Sequence, residues 1–120
     1  MIKLIRKHTP IKLTPAFVVQ KTNQYKVSKE SVWNIDWLKG SLLDLSNGKC
    51  AYCECLLTKE SNYMEVEHFH DKHQYPDKVM DWNNLLPSCK HCNGHKSTHD
   101  VVTDPIINPF TDNPNDHLYF

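Results

Sequence analysis

Val32, Ile35, Leu38, Leu42 and Leu45 recur at spacings of three and four, the period of an amphipathic helix. With Ser28 as N-cap and Asn47-Gly48 as stop, the spacing predicts one helix over about residues 29–46, Trp33 and Trp37 widening its apolar face toward the core. Ahead of it, Thr9-Pro10 and Thr14-Pro15 interrupt short apolar stretches, and the prolines predict an irregular or extended arm over 1–27. Further on the period changes to two. Tyr63, Glu65, Glu67 and Phe69 alternate with Met64, Val66 and His68, as on a strand. Residues 70–81 are polar and read as a loop, and Trp82 to Leu86 as a short strand or turn. Ser88 is a good N-cap for a helix over about 89–98. Pro105, Pro109 and Pro114 mark an extended acidic tail over 101–120.

Apolar residues make up 39% of the 120, a lean supply for a core, so a structural metal would help such a domain considerably. No run approaches the length of a membrane span, and no apolar segment follows the basic start; the expectation is a cytoplasmic protein without membrane contact. The 14 basic and 14 acidic residues cancel, but not evenly along the chain. Residues 1–30 hold seven basic residues against one acid, Glu30, whereas 101–120 hold acids alone. A basic arm before an acidic body suits a polyanion partner, or else is a solvated leader.

The cysteines change the picture further. Four of the five form two pairs, Cys50-Ala51-Tyr52-Cys53 and Cys89-Lys90-His91-Cys92, with 35 residues between them. Two such knuckles in a reduced chain read as one zinc site of four thiolates, since two intervening residues let both sulfurs reach one ion at ~2.3 Å. A redox-active pair would need one motif in a βαβ setting, which is absent here. Cys55 falls outside both knuckles as a half-buried bystander.

Between and after the knuckles stand Glu67-His68, then Asn84 after fifteen residues, then Asn93 after eight more. With Cys50-Ala51-Tyr52-Cys53, Val66-Glu67-His68, the stretch Trp82 to Cys89, and Cys92-Asn93-Gly94-His95-Lys96-Ser97, this chain resembles the zinc-bearing branch of the HNH endonuclease family over about residues 48–98. A narrower likeness, carried by Glu67-His68-Phe69, Lys72, Tyr75-Pro76, Trp82 to Leu86 and Asn108-Pro109-Phe110, is to the HNH subunits of Septu-type anti-phage systems, which work beside an ABC-type ATPase. The chain departs from that group at His70 and Asp71, where its members often have a basic residue and then proline.

The resemblance implies an α+β protein: a ββα-metal (His-Me finger) nuclease core over 48–100 with a treble-clef-like zinc site, preceded by the amphipathic helix of 28–47 and the arm of 1–27, and followed by the extension of 101–120. It implies divalent-metal-dependent cleavage of DNA leaving 5′-phosphate and 3′-hydroxyl ends, and it gives Asn84 the task of holding the His68 loop in shape. The chemistry of the residues agrees. An imidazole is available unprotonated at neutral pH, so His68 can deprotonate water. Glu67 and Asn93 offer hard oxygen ligands suited to Mg²⁺ or Mn²⁺. Adjacent strand residues point to opposite faces, so Glu67 and His68 share one site only if the metal straddles the strand end or the backbone turns there.

Other residues are weaker candidates. His70 would lie on the His68 side if the strand continues, His73 lies nearby, and Lys96, one turn beyond Asn93, is placed for a phosphate. His91, His95 and His99 would form a stripe on the predicted helix, facing solvent or phosphate. The alternatives to an endonuclease are a catalytically silent zinc module that binds nucleic acid or a partner protein, and a histidine-rich metal buffer holding several ions.

Overall fold

Pro15 starts a helix rather than breaking one. In the computed structural model, which describes residues 1–57, 64–96, 98–103 and 105–114 (the side chain of His95 excepted), α1 runs Pro15–Ser28. The Thr14 hydroxyl accepts from the Phe17 N–H at 3.2 Å, and Pro15 takes the first helical position, where its missing N–H has no helical partner to lose. The expected extended arm is thus helical from residue 15. Lys29 ends α1 in the left-handed region at φ 61°, its N–H closing on the Tyr25 carbonyl.

The single helix expected over 29–46 is shorter at its N-terminal end. Residues 29–35 are non-helical, with a turn at Val32 and Trp33, and α2 spans only Asp36–Leu45, with Asp36 favourably placed in its first turn. Val32 and Trp33 are nevertheless buried in one cluster with Leu38, Leu42 and Leu45, so the turn presents them to the same core that a helix would have reached. The stop at Asn47-Gly48 holds, both residues having positive φ.

Strand β1, Met64–His68, pairs antiparallel with β2, Leu85–Cys89, in the register Met64↔Cys89 to His68↔Leu85. Tyr63 lies outside the described residues. A 3-10 turn at Trp82–Asn84 leads into β2, and α3, Lys90–Lys96, follows it directly. Ser88 therefore ends up inside β2 and caps nothing; the Cys89 sulfur accepts from the Cys92 N–H instead. The helix expected to reach 98 stops at Lys96, so His99 lies beyond it.

The two sheet faces have different partners. Val66, His68 and Leu85 face α1, α2 and the largest apolar cluster, with Tyr25, Trp33, Val79 and Met80. Glu65 and Glu67 face α3, and Leu86 packs with Leu4, Phe69 and Val101. The acidic tail is folded back over its described part. Val101 and Asn108 are buried, and the Leu4 N–H donates to the Pro109 carbonyl at 2.8 Å. Arg6 on the neighbouring segment donates to the carbonyls of Leu85 (2.6 Å) and Asn83 (3.3 Å) and stacks on Phe110. Among the described residues no helix is long and apolar enough to cross a membrane.

Candidate active site

The sulfurs of Cys50, Cys53, Cys89 and Cys92 all lie within 4.8 Å of one another, and Cys53 and Cys89 are 3.7 Å apart. A tetrahedron with metal–sulfur bonds of ~2.3 Å has edges of ~3.8 Å, so the cluster fits a zinc ion with little adjustment. Two backbone bonds set it up: the Cys50 N–H reaches the Cys55 carbonyl, and the Ala51 N–H reaches the Pro87 carbonyl, docking the first knuckle on β2. Burial would raise the Cys53 thiol, but bonds with Cys55, Cys50 and Cys92 outweigh it and bring Cys53 down to about 7. Cys55 goes the other way, to about 12, through burial and its bonds with Cys53 and Cys89.

β1 is regular through His68, so Glu67 and His68 lie on opposite faces of the sheet. The two glutamates on the α3 side take separate partners. Asn93 donates its amide to Glu65 at 2.6 Å, whereas Glu67 is buried against the Tyr52 hydroxyl at 2.5 Å and the Lys96 ammonium at 3.3 Å. Lys96 also donates to the His68 carbonyl at 2.8 Å, and its side chain is only 6% exposed. The lysine expected to face a phosphate is therefore an internal counter-ion of Glu67. Burial raises the Glu67 pKa, against the opposing pull of Lys96 and the Tyr52 hydrogen bond.

His68 is buried on the other face. Its Nε2 lies 3.0 Å from the Val79 carbonyl, and Trp33 packs edge-on against the ring at 4.4 Å. A carbonyl can only accept, so Nε2 carries the proton and Nδ1 keeps the lone pair. Burial lowers the His68 pKa to about 4; the Val79 carbonyl opposes the shift, while the positive charges of Lys72 and Lys96 add to it.

Asn84 spends its whole amide on the loop after β1. Its oxygen accepts from the His70 N–H at 2.7 Å and lies 3.1 Å from the His70 ring, while its nitrogen donates to the His70 and Lys78 carbonyls. The strand ends before His70, whose ring turns to Asn84, Phe69 and Tyr75 rather than to the Asn93 side. His73 pairs with the buried Asp71 at 3.5 Å.

Two hollows, about 320 and 240 Å³, meet at Glu65, Lys72 and Asn93. The first is lined by Met64 and Val66 from one face of β1, Glu65 from the other, and Trp33, so it wraps the outer edge of the strand, unpaired among the described residues. Glu65 and Lys72 were not singled out from sequence as site residues. The alternation that puts Glu65 on the Glu67 face was the available signal for the first; the second entered only as one residue of the Septu likeness, with no role attached.

The donor set fits a hard divalent cation. Its oxygens are the Asn93 amide oxygen at the open groove and the Glu67 carboxylate under Lys96, with the Glu65 carboxylate bonded to the Asn93 amide nitrogen beside them.

Residues 50–99 match the family model for HNH endonucleases. The chain is 50% identical over 118 residues to the Septu protein PtuB of Bacillus thuringiensis, a match covering 98% of this chain and 46% of that protein. It is 33% identical over 113 aligned residues to the Septu protein PtuB of Bacillus mycoides (strain KBAB4), covering 69% of this chain and 38% of the relative. The chain thus spans less than half the length of the curated relatives it matches. No solved structure matches it significantly. Over residues 50–99, from the first knuckle to just past the short helix behind the second, this chain carries an HNH endonuclease-family domain, and over nearly its whole length it is similar to a Septu PtuB protein.

Proposed function

We propose that the chain is the nuclease part of an anti-phage defence protein, cutting phosphodiester bonds in nucleic acid, foremost DNA, with Mg²⁺ or Mn²⁺. The observation that carries this reading is the groove around the outer edge of β1. It brings Asn93 and Glu65 from the α3 side together with Trp33, whose ring packs on His68 from the other side. The strand does not turn at His68, so a phosphate lying along the edge is what both faces can serve.

In this reading His68 accepts the proton of the attacking water at Nδ1, Nε2 being held by Val79. Asn93 and an acidic residue of β1, Glu67 as expected from sequence, hold the divalent ion, which supplies charge neutralisation at the phosphate. Asn84 keeps the loop after His68 in shape. The zinc cluster fixes β2 and α3, and with them Asn93, relative to the first knuckle. Lys39, Lys72 and Lys90 line the groove without a salt-bridge partner among the described residues, as a phosphate backbone requires.

Two observations favour a second reading, in which the domain rests in a closed form until a partner opens it: His68 is 4% exposed, and Lys96 occupies Glu67. An ABC-type ATPase subunit in the cytoplasm would be that partner. Plasmid DNA, single-stranded DNA and RNA incubated with the purified protein in EDTA, Mg²⁺ or Mn²⁺, beside His68→Ala, test both. Metal-dependent cutting that vanishes in the variant is expected. Cutting that persists in His68→Ala refutes the assigned base. No cutting by the zinc-loaded chain alone, with cutting restored by the ATPase subunit, selects the closed form; none in either setting leaves a silent zinc module.

A further inference from the structure

Glu65 and Glu67 point to the same side of β1, yet α3 meets them with different groups one turn apart: Asn93 on Glu65, Lys96 on Glu67. The Glu65 bond, at 2.6 Å, is a short one. We propose that Glu65 is a positioning residue for Asn93, fixing which end of its amide faces the groove; the inference rests on the nuclease reading above.

The argument is one of donors and acceptors. A carboxylate offers only acceptors, so the amide of Asn93 must turn its NH₂ toward Glu65. The oxygen then points away from Glu65. That oxygen is the only atom of an asparagine side chain that a hard cation takes. Without Glu65 no other described residue is seen to select the orientation, because the terminal torsion of asparagine is broad and both ends of the amide are presented. Glu67 is no substitute, being held by Tyr52 and Lys96. Both Glu65 and Asn93 line both hollows, so the oriented amide sits where the two meet.

The test is a Mn²⁺ titration of zinc-loaded protein without nucleic acid, followed by the resonance of free Mn²⁺, for wild type, Glu65→Ala and Glu65→Gln. Thermal melting and zinc content confirm that each variant is folded. Loss of a partner that orients a ligand weakens metal affinity by ~10–100-fold, and Glu65→Ala should fall in that range. Glu65→Gln, whose amide oxygen still accepts from Asn93, should recover most of the loss. Cleavage by Glu65→Ala should return at high Mn²⁺, with KM for nucleic acid unchanged. Unaltered affinity in Glu65→Ala overturns the inference. So does a glutamine variant as weak as the alanine one, since the carboxylate would then be acting by its charge. Those two results leave the nuclease reading intact if wild type binds Mn²⁺ and cuts; a wild type that takes up no Mn²⁺ and never cuts removes both.

Discussion

Replacing Arg6 by alanine separates two uses of the basic N-terminal segment. From charge alone the segment suits a phosphate backbone, but in the structure the Arg6 guanidinium is half-buried. It donates to the Leu85 carbonyl at 2.6 Å and lies 3.9 Å from the centre of the Phe110 ring. Burial lowers its pKa to about 10, with Asp81 opposing, so it remains charged at neutral pH. A hydrogen bond from a charged donor contributes about 1.5–3 kcal/mol. Stacking on an aromatic ring adds about 0.5–2 kcal/mol, and the longer, exposed bond to Asn83 adds little. Allowing for overlap between the two, Arg6→Ala should lower stability by about 2–4 kcal/mol. Arg6→Lys keeps the charge but loses the planar fork and should recover less than half. Urea unfolding of the zinc-loaded protein, followed by tryptophan fluorescence, reads the stability; anisotropy of a labelled oligonucleotide reads binding. The expected result is a lower midpoint with unchanged affinity for the folded protein. A stability loss below about 1 kcal/mol, accompanied by weaker binding, would refute the reasoning and place the guanidinium on phosphate.

Zinc should be present at one ion per chain, and a strong chelator or Cys89→Ser should abolish cooperative melting, because a four-thiolate zinc contributes ~10–16 kcal/mol in small domains. Cys55→Ser should leave the zinc content at one. His68, neutral and buried with a pKa near 4, binds fewer protons folded than unfolded between about pH 4 and 6.5, so its contribution is full above 6.5 and is lost as pH falls through that window. Wild type should therefore lose about 2 kcal/mol more than His68→Gln between pH 8 and pH 5, measured by urea unfolding with zinc in excess; equal losses would place His68 in water. Neutralising Lys39, Lys72 or Lys90 should each lower the slope of log affinity against log salt by about 0.7 to 0.9, while Lys7→Ala and Lys26→Ala, whose lysines pair with Asp44 and Asp77, leave it unchanged.

Ligand spacing and strand alternation are local properties, and both were legible. The two knuckles converge, the Glu67-His68 strand forms, and the HNH and Septu resemblances agree with the comparisons. The helices were less so. Pro15 reads as a breaker until it is seen to follow a Thr14 cap, and the core-facing turn of Val32 and Trp33 continues the spacing of α2 without being helical. In the site, sequence named Asn93, Lys96 and Glu67 but neither Glu65 nor the pairing of Lys96 with Glu67. A strand glutamate such as Glu65 is ordinarily a solvated charge, and only the packing of α3 distinguishes it from Glu67.

The register of the sheet and the thiolate cluster bear on each other. Met64 stands opposite Cys89, so the second knuckle begins on the last paired residue of β2. A slip of one residue would send every β2 side chain to the other face and carry the Cys89 sulfur away from Cys50 and Cys53. Misaligned hairpins then lack a complete set of four ligands, and only the correct alignment is trapped by the ion. In a nascent chain with a thin core, metal capture would act as proofreading: it retains the one pairing that also puts Glu65 beneath Asn93.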